Sequence, residues 1–291
     1  MSDDAPIDID PSSPPFDRFG GLHWLAAVRS GHASAQHARH QLYVARDRQS
    51  RANMLIKVTS KPGLVYEQNL INEMASLTTI NRELPHSRHF PVLGEHGRLA
   101  DGRVYLTMSL FDEWPLATAV GSERRPDRLV THLRTTVEVA KALGELHGLE
   151  IWHVDLNPMN ILSRWEAGKP VIRLVDFESS YEVSRYSKGR FYNPPTTSGF
   201  SAPELTRQAP DGRSDLFSLG AVLYTMLAGY DWTWGTGIRQ AIEDDADVAP
   251  ELKTTLLTAV EANPDKRFQS IVEFRDAVAA YLERIWPGRS W

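Results

Sequence analysis

The sequence contains no cysteine, so disulfides, a CxxC redox pair and thiolate zinc sites are excluded. It also lacks any run that approaches the ~18 apolar residues of a membrane-spanning helix. No stretch of like charge is present, and the net charge is only −5 at pH 7. We therefore expect neither a membrane nor a nucleic acid as a partner.

The first twenty residues have little to bury in a folded core. The segment is acidic and proline-rich, and it lacks the basic start and apolar run of a secretory signal. We therefore expect residues 1–20 to be a disordered tail and the protein to be cytoplasmic.

The rest of the chain is long enough to bury a sizeable core, in one large domain or in two lobes around a cleft. Its first part reads as strands. Short apolar runs at residues 42–45 and 54–58, separated by a polar turn, predict a hairpin, and residues 103–108 predict a further strand. Between them, residues 67–80 carry apolar side chains at helical spacing.

The pattern becomes helical after Pro115. Residues 129–146 predict an amphipathic helix that stops at Gly148, and residues 216–227 are apolar on nearly every side, which predicts a buried helix. Residues 250–262 and 271–285 predict two further amphipathic helices. A small strand-rich part thus precedes a larger helical part, which indicates the α+β class.

Three polar side chains in the middle of the chain suit a magnesium site. Asp155 is followed five positions later by Asn160, and Asp176 comes directly after the strand-like run 171–175. Carboxylate and amide oxygens near strand ends are hard ligands of the kind that Mg²⁺ takes together with phosphate oxygens.

Several motifs resemble those of eukaryotic-type protein kinases. HVDLNPMNIL at 153–162 resembles the catalytic loop, LVDFE at 174–178 the D-F-G motif, MLIKV at 54–58 the V-A-I-K strand and SAPEL at 201–205 the A-P-E motif. They occur in the family's order over about residues 22–286. The chain is thus similar to bacterial-type serine/threonine protein kinases. This resemblance implies a bilobal fold, with a β-rich N-lobe at 21–111 and an α-helical C-lobe at 112–291.

The resemblance also implies roles for the polar residues, with ATP and Mg²⁺ as cofactors. Asp155 would accept the proton of the attacking hydroxyl group, and Asn160 and Asp176 would hold Mg²⁺. Asn160 would thereby also belong to the catalytic set.

The expected nucleotide-binding residues come mainly from the first part of the chain. Lys57 would bind the α- and β-phosphates and would be held by an ion pair with Glu73, for which the neighbouring Glu67 is the alternative. Contacts with the nucleotide base are expected from Leu55 and Leu162, and from the backbone of the segment Ser109, Leu110 and Phe111, which resembles the hinge of the family.

Other matching residues are expected to be structural. Glu204 would pair with Arg267 and tie the activation segment to the helical part. Asp215 would brace the backbone of the catalytic loop, and His153 would stack with Phe177 in the core.

The clearest departure from the family is the glycine-rich loop. Ala35, His37 and His40 stand where its glycines belong, so no glycine remains to let the backbone approach a phosphate. Either the loop binds phosphate through other groups or it folds away from the nucleotide. Leu55, which replaces an alanine, also adds bulk against the base.

Three more departures lie around the catalytic residues. Val154 replaces an arginine that grips a phosphorylated loop in relatives, which disfavours switching by that modification. Asn157 replaces a lysine that touches the γ-phosphate, and Glu178 replaces the glycine of D-F-G. Both of the latter changes have parallels in small-molecule kinases.

Three functions remain open on these grounds. We favour an ATP-dependent phosphotransferase that acts on serine and threonine hydroxyl groups of proteins. All five core catalytic residues of the family have a counterpart here, namely Lys57, Glu73, Asp155, Asn160 and Asp176, and Thr197 stands where such kinases carry a threonine. The alternatives are a pseudokinase that regulates a partner protein by binding it, and a small-molecule kinase.

Overall fold

The computed structural model describes residues 7–8, 22–27, 40–47, 51–120, 126–186, 197, 199–230 and 237–288. These residues form two units. The first contains the described residues up to Pro85 together with Phe90–Asp112, and the second contains His86–His89 and the described residues from Glu113 onwards. Of the predicted tail at 1–20, only Ile7 and Asp8 are among the described residues, and they form a short strand.

A six-stranded sheet makes up most of the first unit. In chain order the strands are β1 (Ile7–Asp8), β2 (Leu22–Ala27), β3 (His40–Asp47), β4 (Asn53–Thr59), β5 (Leu93–Arg98) and β6 (Val104–Ser109). They lie in the order β1-β2-β3-β4-β6-β5, and every pairing is antiparallel.

The predicted hairpin is confirmed as β3 and β4. Leu42 lies opposite Lys57 and Tyr43 opposite Ile56. Successive side chains of a strand point to opposite faces, so alternate residues share the core. Tyr43, Ala45, Ile56 and Val58 are accordingly buried together.

Helix α1 (Leu64–Glu83) contains the predicted helical stretch and is longer than it. Leu70, Glu73, Leu77 and Ile80 are fully buried at spacings of three and four residues, so they share one face. Glu73 therefore projects from the apolar face of the helix. Strand β5 has no counterpart in the predicted elements, because its sequence LGEHGR is polar and largely exposed.

Helices dominate the second unit. They are α2 (Leu116–Ala119), α3 (Leu129–His147), α4 (Val183–Tyr186), α5 (Gly212–Ala228), α6 (Ile238–Asp244), α7 (Pro250–Ala259) and α8 (Ile271–Ile285). A β-sheet region followed by a helical part confirms the α+β class. None of the helices in the described ranges is both long and apolar enough to cross a membrane.

Helix α5 is the central helix of this unit, since every residue from Ser214 to Leu227 is buried, as its apolar sequence predicts. It passes close to α7 at Gly220, where a Cβ atom would lie 2.8 Å from the Cβ of Ala259. Helix α7 itself is shorter than predicted, because Val260 already leaves the helical conformation.

Short strands hold the loops that carry the candidate site. A three-stranded sheet has the order β10-β9-β7, formed by β7 (Trp114–Pro115), β9 (Ile161–Glu166) and β10 (Lys169–Leu174). A two-stranded sheet pairs β8 (Ile151–Trp152) with β11 (Tyr181–Glu182). Residues 153–160 therefore form a loop between β8 and β9, and Asp176 follows β10 directly.

Candidate active site

In the first unit, Lys57 of β4 and Glu73 of α1 form a buried ion pair. Lys57 Nζ donates to Glu73 Oε2 at 2.8 Å. The two residues are 8% and 0% exposed. Removing one partner of such a pair leaves an uncompensated buried charge, which is strongly destabilising. The pair therefore holds the lysine ammonium group in a defined position.

The alternative partner, Glu67, is committed elsewhere. Its carboxylate accepts hydrogen bonds from both terminal nitrogens of Arg98, at 2.7 and 2.8 Å, and from the backbone N–H of Gly63 at 3.0 Å. These hydrogen bonds lower the pKa of Glu67 to about 2, and those from Arg98 have the largest effect. Glu67 is thus an anchor for the start of α1 and is not bonded to Lys57.

The expected base-binding residues fall in both units. Leu55 lies opposite Met108 in the pairing of β4 with β6. Ser109 ends β6, where its N–H donates to the carbonyl of Val92 and its hydroxyl group accepts from the N–H of Val92, both at 3.0 Å. Leu110 and Phe111 follow it and are half-buried, whereas Leu162 is a half-buried residue of β9 in the second unit.

In the second unit, Asp215 fixes the backbone at the start of the catalytic loop. The fully buried Asp215 carboxylate accepts the N–H of His153 at 2.8 Å and the N–H of Val154 at 2.7 Å. Val154 adopts a left-handed conformation with φ of 68°, which is costly for a β-branched residue. The two bonds to Asp215 stabilise this turn and so set the direction of Asp155.

The Asp155 carboxylate is held by hydrogen bonds from three side chains. The hydroxyl group of Thr197 donates to Oδ1 at 2.6 Å. Asn157 and Asn160 reach the two carboxylate oxygens through longer contacts of 3.5 Å. Asn160 also donates to the backbone carbonyl of Asp155 at 2.9 Å. The carboxylate therefore has a fixed orientation.

Burial raises the pKa of Asp155 above its ordinary value. The hydrogen bond from Thr197 and the proximity of His153 act in the opposite direction, and the negative charge of Asp176 raises the pKa further. A carboxylate with a raised pKa is a stronger proton acceptor once ionised, which suits a general base.

Asn160 and Asp176 provide a donor set that fits Mg²⁺. The amide nitrogen of Asn160 is bonded to Asp155, and no described residue donates to its Oδ1. Asp176 stands in a left-handed turn, φ 67°, directly after β10. An amide oxygen and a carboxylate are hard ligands, and a cation there would also offset the repulsion between Asp176 and Asp155.

Asn157 has a local structural role in the loop. Its Nδ2 donates to the carbonyl of Asp155 at 3.1 Å and its Oδ1 accepts from the N–H of Met159 at 2.9 Å. The side chain is 7% exposed. It therefore closes the loop on itself and does not extend outwards as a lysine would.

The core beneath these residues is packed as expected. The rings of His153 and Phe177 lie 5.0 Å apart between centroids, and His153 Nε2 donates to the carbonyl of Val175 at 3.0 Å. Because a carbonyl only accepts, this bond places the proton on Nε2. Glu178 follows within the short 3₁₀ helix Phe177–Ser179.

The expected pair of Glu204 and Arg267 is present and buried. Arg267 donates to both carboxylate oxygens of Glu204, at 2.7 and 2.8 Å, and Ser214 donates to Glu204 at 2.9 Å. The guanidinium group of Arg267 also lies 4.9 Å from the centre of the Phe217 ring. The segment around Glu204 is thereby tied to α5.

Two of the three positions assigned to the degenerate glycine-rich loop, Ala35 and His37, lie outside the described residues. His40 is the first residue of β3, opposite Thr59, and its Nε2 donates to the carbonyl of Tyr66 at 3.1 Å. Its imidazole is thus bonded to the start of α1.

Two contacts at the site have no signal in the sequence. The first is the hydrogen bond between Thr197 and Asp155, because the sequence position of Thr197 does not indicate its partner. The second is His147, whose Nε2 donates to Asp215 at 2.9 Å. No pattern in the sequence connects His147 with a residue 68 positions away.

Comparisons with known proteins agree with these observations. The family model described as "Protein kinase domain" matches residues 41–276. The chain is 39% identical over 134 residues to the human protein "Ribosomal protein S6 kinase alpha-2", which covers 45% of this chain and 18% of that protein. It is 46% identical over 94 residues to "Ribosomal protein S6 kinase 2 beta" of Xenopus laevis, covering 32% and 15%. The matches thus span less than a fifth of these relatives.

A similar fold occurs in the kinase domain of PknI from Mycobacterium tuberculosis. Its crystal structure superposes with a TM-score of 0.60 at 21% sequence identity, covering 89% of this chain and 96% of that one. At this identity the likeness concerns the fold.

Proposed function

The chain belongs to the protein kinase domain family, and from this premise we propose that it is an ATP- and Mg²⁺-dependent phosphotransferase acting on serine and threonine hydroxyl groups of proteins. The observation that carries the proposal is the environment of Asp155. This carboxylate is oriented by Thr197 and Asn160 and stands on a backbone fixed by Asp215.

The proposed reaction transfers the γ-phosphoryl group of ATP to a hydroxyl group of the substrate. Asp155 accepts the proton of a substrate hydroxyl group while the oxygen of that hydroxyl group bonds to the γ-phosphorus of ATP. The bond between this phosphorus and the β-γ bridging oxygen breaks, which releases ADP. Lys57, oriented by Glu73, binds phosphate oxygens of the nucleotide. Asn160 and Asp176 would hold Mg²⁺, which would neutralise charge on the phosphate groups.

The contacts with the nucleotide base are part of the same proposal. Leu55 and Leu162 provide apolar surface for the base, and the residues Ser109, Leu110 and Phe111 after strand β6 provide its backbone contacts. The partner on this proposal is a protein substrate.

The test compares ADP formation by the wild type with that by Asp155→Asn. Loss of a general base costs about 10²–10⁴-fold in rate, so ADP formation should fall by that factor. Asp244→Asn is a matched control, because Asp244 is an exposed carboxylate of α6 and should leave the rate unchanged. No ADP formation by the wild type with protein substrates or with itself would contradict the proposal.

One observation favours a second candidate, a binding module without catalysis. The position that carries a γ-phosphate-binding lysine in relatives holds Asn157, whose side chain is bonded within its own loop. A thermal-shift titration with ATP and Mg²⁺ distinguishes a binding module that binds nucleotide from one that does not. Nucleotide at 100 times its Kd adds about 2.7 kcal/mol to the free energy of unfolding. Stabilisation without turnover would favour a nucleotide-binding regulator of a partner protein.

A further inference from the structure

A small cationic cavity lies in the second unit, outside the residues assigned to catalysis. Its volume is about 90 Å³, and it is lined by Arg134, Glu138, Lys141, Lys169 and Pro170. The first three project from α3 at spacings of four and three residues, so they share one face of that helix. Lys169 and Pro170 begin β10.

Arg134 is the buried residue of this cavity. It is 9% exposed, and its guanidinium carbon lies 4.9 Å from the centre of the Trp165 ring and 5.2 Å from that of Trp286. Its Nε is buried without a hydrogen-bond acceptor, and no carboxylate of the described residues forms an ion pair with it. A largely buried guanidinium group without a carboxylate partner is costly, so an anion from outside the chain that reaches its accessible terminal nitrogens would stabilise it.

The charges around the cavity do not cancel. Three cationic side chains face one carboxylate, and that carboxylate, of Glu138, is already paired with Lys141 at 2.6 Å. The other nearby acid, Glu166, pairs with Arg164 at 3.4 Å. Lys169 is exposed and forms no ion pair within the described ranges. Arg134 and Lys169 therefore remain to neutralise a ligand with two negative charges.

The size of the cavity restricts that ligand. A water molecule occupies about 30 Å³ in the liquid, so the space holds about three water molecules or one tetrahedral oxyanion. An arginine that lies over aromatic rings loses little freedom when it binds, and its planar group matches phosphate oxygens. Lys169 adds a second charge at the entrance.

We propose that the cavity lined by Arg134, Lys141 and Lys169 is a binding site for a phosphate dianion. The source is either free phosphate or the phosphomonoester of a phosphorylated serine or threonine in a protein. Trp165, which is 40% exposed, lies with its ring centre 4.9 Å from the guanidinium carbon of Arg134. This site is independent of the proposed transfer reaction.

The experiment is a calorimetric titration of the full chain with inorganic phosphate at about pH 8, where both inorganic phosphate and a phosphomonoester are mainly dianions. Sodium chloride at equal ionic strength is the blank. We expect Lys169→Gln to weaken phosphate binding about tenfold, since a hydrogen bond to a charged group contributes about 1.5 kcal/mol or more. Lys266→Gln, the same change at an exposed lysine away from the cavity, should leave binding unchanged.

A competition experiment and a further variant make the result decisive. The titration is repeated with ADP and Mg²⁺ at saturating concentration, which occupies the proposed nucleotide site, and phosphate should bind as it does without the nucleotide. Arg134→Lys keeps the charge but loses the planar group and should weaken binding more than Lys169→Gln, with circular dichroism to verify folding. No phosphate heat beyond chloride, equal affinity of Lys169→Gln and wild type, or loss of phosphate binding in the presence of ADP and Mg²⁺ would overturn the proposal.

A phosphoserine peptide and its unphosphorylated form identify the source of the phosphate. Tighter binding of the phosphopeptide than of inorganic phosphate, with the same dependence on Lys169, supports a phosphoprotein ligand. Equal or weaker binding of the phosphopeptide supports free phosphate. Binding of both peptide forms with equal affinity would contradict a phosphate site.

Discussion

Thr197 lies 42 residues from Asp155 in sequence and donates a 2.6 Å hydrogen bond to its carboxylate. A hydrogen bond to the ionised form favours that form, so the bond opposes the rise in pKa that burial causes. The threonine thereby extends the range of pH in which the proposed base is ready to accept a proton.

We predict that Thr197→Val moves the acidic limb of the pH dependence of kcat/KM to higher pH. Without the hydroxyl group the pKa of Asp155 rises further, and the base is protonated at a pH where the wild type is active. Thr197→Ser retains the donor and should keep the wild-type profile. An unchanged acidic limb in Thr197→Val would show that this bond does not control the ionisation of Asp155.

Asn157 illustrates what residue type alone cannot tell. Its position predicts the loss of a phosphate contact, whereas its hydrogen bonds with Asp155 and Met159 show what the side chain does in the folded protein. The same holds for Val154, whose left-handed conformation becomes understandable only with the carboxylate of Asp215 beside it.

Helix α5 connects the catalytic loop with the segment around Glu204. Its first turn carries Asp215, which holds the loop, and Ser214, which donates to Glu204. The helix was predictable because its apolar sequence is long, and the same burial leaves its few polar groups only internal partners. Strand β5 was not predictable, since it depends on pairing with β6 and not on its own composition.

We predict that Arg267→Met lowers the free energy of unfolding by about 3–5 kcal/mol, because it leaves Glu204 buried without its cation. Urea unfolding followed by tryptophan fluorescence measures this in the second unit, since Trp24 is the one tryptophan outside it.

Arg275→Met is the matched control for this prediction. Arg275 pairs with its exposed neighbour Asp276, and such a pair contributes about 1 kcal/mol or less. Equal losses in the two variants would mean that burial of the Glu204–Arg267 pair has no particular importance.

The stability of the chain as a whole should depend on pH through His132. This residue is 6% exposed, and its pKa is lowered to about 4, first by burial and then by the charge of Arg128, with Asp127 acting against both. Between about pH 6.5 and 4 the unfolded chain therefore binds a proton that the folded chain does not. Stability is full above that range and is lost as the pH falls through it.

We predict that this group alone removes about 2 kcal/mol between pH 7 and pH 5. In His132→Leu the decline in the free energy of unfolding over that interval, measured by urea titration at each pH, should be smaller by this amount. His86→Gln, a change at an exposed histidine, should decline like the wild type. Parallel curves for His132→Leu and wild type would rule out His132 as the cause.

The sequence by itself determined the family and the α+β class, because motif order and long apolar periodicities are local properties that survive without a structure. It also determined which polar residues stand at strand ends and loops. Tertiary structure decided how they are held, through contacts that join distant parts of the chain, as between Asp215 and the loop 62 residues before it or between Arg267 and Glu204, 63 residues apart. Folding alone also brings Arg134, which lines the cationic cavity, against the rings of Trp165 and Trp286, since no local sequence pattern encodes neighbours on separate elements.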